Sequence, residues 1–545
     1  MKADFELSRR TALKSAVGIA AAAGVPLSAL AGCSREADTS ATNEKNAKVK
    51  LPTYVPFTKV KPDLDGTKQG AMPTFFKYPA NPAHATEGIP GEGGTVSAMT
   101  IIYSSLPPST GSNKYWQELN KRLGVELKFN MVNSSDYPDK LATQVAGGDL
   151  PDIVNFFGGV PSMPQLLKAK FQDLTEFLSG DAIKEYPCLA ALPADCWKYM
   201  LYNGGIYGVP IPRSPVGSIM LTRDDIIKAK GLNHNPANFQ EFRELCKGLT
   251  DEDASKWAAG STDGLLQYVR SMLGIPNGWI REKGKFVNVY ETDTMHQALN
   301  AVRTLVKDGS VHPDAFSADT AKNKNWMFAG TIAMNNDGYK GWSTDVLAAL
   351  PDRLHQLGAL HTPGFDGGKG THQEGNSTFA VVSLKKADKK RIKELLRICN
   401  WLAAPFGSEE CLFRKYGLKG PDYSMKAGQP VLTDQGVSET SLPTKYITDC
   451  TDFIYEPGNE ALAKKEHDFF VKEADLIIPN PAAALYSDAN SRKGPEYEDE
   501  FTKLRAQIFQ GRKSLSDWDD LVKRWKDDIG DTIRKDYEKA YGEVH

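Results

Sequence analysis

Residues 335–342 set two amides (Asn335, Asn336), a carboxylate (Asp337) and two aromatic rings (Tyr339, Trp342) around Gly338 and Gly341. Rings offer flat apolar faces for stacking, while amides and carboxylates offer planar hydrogen-bonding edges. Side chains of these types grip a small polar molecule reversibly. The same types recur at Asn155, Phe156 and Phe157, and at Tyr207, Arg213, Trp279 and Asn376. Each aromatic, taken alone, suits a cleft and a core equally well. Signs of bond-making chemistry are sparse. Asp337 with Glu374 or Glu456 could serve as the carboxylate pair of a glycosidase, so a secreted carbohydrate-active enzyme is the alternative reading. No Gly-x-Ser-x-Gly elbow, zinc motif or dinucleotide fingerprint supports it. The glycines around Lys369 are no P-loop, because Pro363 holds the first required glycine position and Gly370 stands where magnesium needs Ser or Thr. Asp251, Glu252 and Asp253 lack the alternating oxygen ligands of a calcium loop and read as a helix cap. Neither a metal nor a cofactor is expected.

These side chains need a frame, and the periodicity supplies one. Residues 96–103 read as a strand, 115–123 as a helix with Trp116, Leu119 and Leu123 on one face, 125–131 as a strand and 136–145 as a helix. Gly147 and Gly148 stop that helix, Pro151 forbids its continuation, and Ile153 to Phe157 form a short buried strand. Strands alternating with helices predict a parallel sheet in an α/β fold. The loop 104–108 and residues 155–157 then share the carboxyl edge of that sheet, where open α/β sheets bind ligands. Asn203-Gly204 marks a turn between two strands. Residues 217–222 read as a strand followed by a helix over 224–230. Residues 331–334 read as a strand leading into a turn that projects Tyr339 and Trp342. Residues 361–375 read as a mobile glycine-rich loop, 377–384 as a strand returning to the first sheet, and 388–402 as an amphipathic helix. The spacing of Leu515, Trp518, Leu521, Trp525, Ile529, Ile533 and Tyr537 is core packing.

A chain of 545 residues with 41% hydrophobic content and a formal charge of −2 is an ordinary globular chain of more than one domain. It carries no basic stripe for nucleic acid. At the N-terminus Arg9 and Arg10 precede an alanine-rich run over 15–30, too short to span a bilayer, and the pattern is that of a secretory signal. Residues 34–50 are polar and read as a flexible tether. Residues 51–94, studded with prolines, read as an extended segment hugging the surface. Beyond Cys33 the cysteines are Cys188, Cys196, Cys246, Cys399, Cys411 and Cys450, without a C-x-x-C spacing. Cys188 and Cys196 are the best candidates for a disulfide, with unpaired buried thiols as the equal alternative.

Several stretches resemble one family. Gly148-Asp149-Leu150-Pro151-Asp152-Ile153, Tyr207-Gly208-Val209-Pro210, the run 331–342, and Tyr416-Gly417 with Gly420 and Tyr423 are similar to bacterial extracellular solute-binding lipoproteins of ABC importers, in their larger sugar-binding branch. Leu30-Ala31-Gly32-Cys33 resembles a lipobox, with Cys33 as the lipidated residue, and Arg9-Arg10 resembles a twin-arginine signal in which Ala12 replaces the usual Phe. The resemblance implies a two-lobed periplasmic-binding-protein-like fold with a hinge and a ligand cleft between lobes. The implied parts are a signal peptide (1–32), a lipidated tether and extended segment (33–94), lobe 1 (95–217 plus 376–445) and lobe 2 (218–375 plus 446–545). It implies a monomer held by lipid at the extracellular face of the cytoplasmic membrane, with a carbohydrate ligand and permease subunits as partners. Asn155, Phe156, Phe157, Tyr207, Arg213, Trp279, Asn336, Asp337, Tyr339, Trp342 and Asn376 are then the ligand-binding candidates, and no residue is catalytic.

Overall fold

The computed structural model describes residues 39–103, 105–158, 160–342 and 357–544. The signal segment, the paired arginines and Cys33 lie outside them, as do Ser104 and Gly159. Nine strands build the two main sheets: β1 (Thr95–Ile102), β2 (Glu126–Asn133), β3 (Ile153–Phe156), β4 (Val209–Pro212), β5 (Ser218–Arg223), β6 (Trp257–Ala259), β7 (Ile332–Gly338), β8 (Leu357–Leu360) and β9 (Thr378–Leu384). The first sheet has the order β2-β1-β3-β9-β4 and the second β8-β5-β7-β6. Local chemistry starts and stops the elements between them. Asn113 caps the helix Lys114–Leu123 by accepting from the Trp116 N–H, and Gly124 ends it at φ 69°. Gly148, at φ 74°, ends Tyr137–Gly147 in the same way. Asn203 and Gly204, both at positive φ, turn a two-stranded hairpin.

The expected parallel sheet is mixed. β1 runs parallel to β2 and β3, whereas β9 is antiparallel to both β3 and β4. In the second sheet β5 is antiparallel to β7 and β8, and only β6 runs parallel to its neighbour. A strand inserted from a distant part of the chain need not obey the direction of a βαβ series, and no local period reveals it.

Each sheet has its own core. Val96, Met99, Ile153, Val209, Val382 and Leu395 belong to one apolar cluster, which reaches Tyr446 and Ile447. The second sheet packs Met220, Met334 and Leu360 with Phe501, Trp518 and Trp525 on one side, and Ile219, Leu221 and Leu357 with Phe469 and Phe470 on the other. From Thr95 onward the described chain passes between these cores at 213–217, 374–377 and 448–453. The first two crossings touch: the Gly375 N–H donates to the Pro215 carbonyl at 2.9 Å. Gly217 adopts φ +42°, and a Cβ on Gly375 would lie 2.6 Å from the Gly217 Cα. Two crossings can pass this closely only where both lack side chains.

The stretch expected to be a flexible tether holds a helix, Thr39–Ala47. Its amides dock it where apolar periodicity could not reveal a contact. Asn43 donates to the Tyr486 carbonyl at 2.8 Å and accepts from the Tyr486 N–H at 3.0 Å. Asn46 donates to the Leu201 carbonyl at 3.0 Å and accepts from the Gly204 N–H at 2.8 Å. The proline-rich segment is irregular but does more than hug the surface. Ala71 and Met72 join the core beside Phe470, and Phe75 and Tyr78 pack on Phe406 and Tyr455. Residues 251–253 form a turn between the helix Phe239–Leu249 and β6, closed by Asp251 and Lys256, and cap no helix. The glycine-rich loop is pinned where Phe365 stacks on Phe239 at 4.7 Å. Cys188 and Cys196 are both buried free thiols, as are the other cysteines of the described residues. No helix among those residues is long and apolar enough to cross a membrane.

Candidate ligand cleft

Because β1 and β3 are parallel, Tyr103 and Phe157 leave the first sheet at the same edge. The reversed direction of β9 brings its first residues, Thr378 and Phe379, to that edge as well. Phe157 and Phe379 stack with centroids 4.9 Å apart and planes 19° from parallel. Tyr103 meets Phe157 edge-on at 6.2 Å, and Tyr446 closes the group at 5.2 Å from Phe379. The Arg213 guanidinium, just past the end of β4, lies 4.8 Å over the Phe379 ring. Phe157, Phe379 and Tyr103 are only half-buried, so the group forms a wall and not a sealed core.

Beneath the wall, Asn155 is fully buried and holds it in place. Its side-chain N–H donates to the Tyr446 carbonyl at 2.8 Å, and its own carbonyl accepts from the Tyr137 hydroxyl at 2.5 Å. Asp337, near the end of β7 in the second sheet, approaches Lys324 of the helix Thr320–Phe328 at 3.4 Å. Burial raises the Tyr103 phenol above its ordinary pKa, Tyr446 adds to the rise, and Arg213, Lys324 and Asp337 also act on it electrostatically. Asn376, exposed, lies in the crossing next to Ser377, whose carbonyl accepts from the Arg213 N–H at 3.0 Å.

The structure thus brings together Phe157, Arg213 and Asp337, with Asn155 behind them and Asn376 beside them. The other candidates lie elsewhere. Phe156 alternates inward and packs edge-on against Phe171 at 5.1 Å. Tyr207 is buried ahead of β4, at the opposite end of that strand from Arg213. Trp279 packs between Tyr537 at 5.3 Å and Trp525 at 6.1 Å. Asn336 points to the face opposite Asp337, where a Cβ on Gly264 would lie 2.9 Å from the Asn336 Cβ. The turn expected to project two aromatics is absent: β7 continues to Gly338 and a helical turn begins at Tyr339. Tyr339 donates its hydroxyl proton to the Phe453 carbonyl at 2.8 Å, and Trp342 is 0% exposed against Phe469 at 5.6 Å.

Tyr103, Lys324, Phe379 and Tyr446 are the candidate cleft residues that sequence reading passed over. Tyr103 was within reach of the sheet-edge argument that found Phe157. Phe379 and Tyr446 depend on the antiparallel insertion of β9 and on a segment some sixty residues further on.

The carboxylates considered for catalysis do not converge. Glu456 is 0% exposed beside the equally buried Glu466, and burial pushes its carboxyl up to about 8. Glu374 is raised by burial and feels Asp195 and Lys198. Among the described residues no group of three or more His, Cys, Asp or Glu could hold a metal ion.

Two α/β lobes, joined by three crossings after Thr95 and with an aromatic edge on the first, are the architecture of a bilobal solute-binding protein. The chain belongs to the bacterial extracellular solute-binding protein family, whose profile matches residues 103–405. It is 23% identical to the lipoprotein LipO of Bacillus subtilis over 482 residues, 83% of this chain and 93% of that one. It is 22% identical to the polygalacturonan/rhamnogalacturonan-binding protein YtcQ of the same organism over 463 residues, 82% of this chain and 91% of that one. Among solved structures it is similar to the N-glycan transport solute-binding protein NgtS of Streptococcus pneumoniae in complex with Man1GlcNAc. The TM-score there is 0.60 at 15% identity, over 83% of this chain and 99% of the other. At that identity the likeness is one of fold.

Proposed function

We propose that the protein is the extracellular substrate-binding subunit of an ABC importer, capturing a carbohydrate, an oligosaccharide in particular, and delivering it to a permease without chemical turnover. The observation that carries this is the half-buried wall of Tyr103, Phe157 and Phe379 under Arg213, with the Asp337 carboxylate of the other lobe near enough to act on Tyr103. Sugar rings stack their C–H faces on such rings and give their hydroxyls to carboxylates, amides and guanidinium. Relatives named for polysaccharide and glycan binding support the ligand class. Lobe 1 comprises 95–217 and 376–445, lobe 2 comprises 218–375 and 446–545, and closure bends the crossings between them. Tyr446 and Ile447, which pack with the first core, move the third crossing a few residues along.

The test uses the soluble chain from residue 34 onward, with ligands found on a glycan array. Calorimetry should show saturable binding without product, and scattering a smaller radius of gyration on saturation. Phe379→Ala should weaken binding by about tenfold to a hundredfold, the loss of roughly 1–3 kcal/mol that base–aromatic stacking suggests by analogy. Turnover of the glycan would favour the enzyme instead, and superimposable scattering curves would remove hinge closure.

The anchor is proposed at Cys33, on the strength of Leu30-Ala31-Gly32 before it and a relative named as a lipoprotein. Cys33→Ser should be exported yet found in the soluble fraction; a variant still sedimenting with membranes would overturn this.

A further inference from the structure

The second lobe contains a cavity of about 200 Å³ that shares no residue with the aromatic cleft. It is a half-open pocket bordered by the helix Thr262–Met272, the hairpin that starts at Trp279, and the C-terminal helices Asp488–Phe509 and Leu515–Trp525. Its walls are of two kinds. Trp279, Tyr497 and Trp525 present rings, and Arg270, Asn277 and Asn490 present polar groups. An apolar cavity of about 150 Å³ accepts benzene, so this volume holds one six-membered ring with a substituent.

The charge balance says what that substituent is. Arg270 donates from Nη2 to the Pro276 carbonyl at 2.9 Å, and its buried Nε has no acceptor among the described residues. No carboxylate of those residues lies within ion-pair reach of it. The one carboxylate in the cavity wall, Glu498, is engaged elsewhere: it accepts from the Tyr290 hydroxyl at 2.7 Å and pairs with Arg505 at 3.3 Å. Asp263 also goes to Arg505, at 3.4 Å. Burial pulls the Arg270 pKa below its ordinary value, and the neighbouring Arg505 charge pulls it further, partly offset by Tyr290 and Glu498. A half-buried guanidinium whose Nε is out of water and unpaired is costly, and an anion in the adjoining cavity removes that cost. The helix above the cavity points the same way. It places Gly494, a cavity-lining residue, directly before Pro495 in its interior, and both residues disfavour a helix. A Cβ on Gly494 would sit 2.4 Å from the Asn490 side-chain oxygen, so the glycine leaves that amide its place on the wall.

We propose that this cavity is a second ligand site, separate from the cleft, that takes a small ring-bearing carboxylate: a sugar acid or an aromatic acid. The rings stack on the ligand's ring, Asn277 and Asn490 take its hydrogen-bonding groups, and Arg270 pairs with its carboxylate.

Calorimetry on the soluble full chain, with D-glucuronate and benzoate as probes and D-glucose and benzamide as neutral counterparts, tests this. At least one acid should bind one-to-one and at least tenfold tighter than its neutral counterpart, with a change in tryptophan fluorescence from Trp279 and Trp525. Which acid binds distinguishes the two sources. Arg270→Gln should abolish the binding, and Phe379→Ala should leave it intact, which separates this site from the cleft. Should Arg270→Gln fail to fold, crystals soaked in whichever acid binds in calorimetry, 4-iodobenzoate standing in for benzoate, decide: the acid inside the cavity supports the site, and the acid elsewhere or nowhere overturns it. Equal affinity for acids and neutral counterparts, or no binding of either acid at millimolar concentration, also overturns it.

Discussion

Trp342→Ala is expected to cost about 3–5 kcal/mol of folding stability, the range for emptying a large aromatic site in a packed core. The ring is 0% exposed and wedged between Phe469 at 5.6 Å and Phe470 at 6.3 Å, in the cluster that also holds Ile332 and Leu357. Its indole N–H has no acceptor among the described residues, so the loss is one of packing and not of a hydrogen bond to them. Phe469 and Phe470 belong to the helix Glu460–Ala474, and the hole would loosen that helix against the second sheet. Trp342→Phe should recover most of the stability. Urea unfolding measures the cost, and calorimetry under folding conditions measures ligand affinity in the same protein. A stability loss below 1 kcal/mol together with a large loss of affinity would return the ring to the cleft.

That residue also marks where the sequence stops being informative. Trp342 lies beside two glycines and after a strand, and a projecting turn and a buried helical turn share that pattern. The difference lies in Phe469 and Phe470, more than a hundred residues away, which no local period can reveal. Trp279 is a similar case, since its neighbours Trp525 and Tyr537 arrive from the C-terminal helices. Where the determinant was local, reading succeeded. Gly148 stops a helix, Asn203-Gly204 turns a hairpin, and the alternating elements from residue 95 to 156 place Phe157 on the sheet edge. The edge itself was therefore legible. Its full lining was not, because β9 joins the sheet antiparallel after the chain has laid down all four strands of the second sheet.

Asp449→Asn is expected to cost about 3–5 kcal/mol, the range for breaking a buried ion pair by removing one partner, and the cost should depend on pH. Asp449 lies in the third crossing with its side chain 1% exposed, and it joins the two lobes. One oxygen accepts from Arg414 of the first lobe at 2.6 Å and the other from Lys340 of the second, also at 2.6 Å. Lys340 reaches Asp452 as well, at 3.1 Å, and Asp452 accepts from the Ser214 N–H of the first crossing at 3.1 Å. Lys340 would keep one carboxylate in the variant, whereas Arg414, 3% exposed, would lose the one carboxylate it pairs with among the described residues. The pH dependence follows from the same contacts. Burial alone would raise the Asp449 carboxyl, but Arg414, then Lys340 and Lys415, outweigh it and hold the pKa well below the ordinary value. An unfolded aspartate titrates near about 3.9, so the stabilisation is complete above that pH and is lost as the pH falls toward the folded pKa. Asparagine does not titrate. The stability gap between wild type and Asp449→Asn should therefore be full at pH 7 and shrink steadily below about pH 4. Urea unfolding of both proteins from pH 7 down to pH 3 reads the gap directly. A constant gap across that range would mean that the carboxylate's charge contributes nothing and that only its shape matters to the crossing.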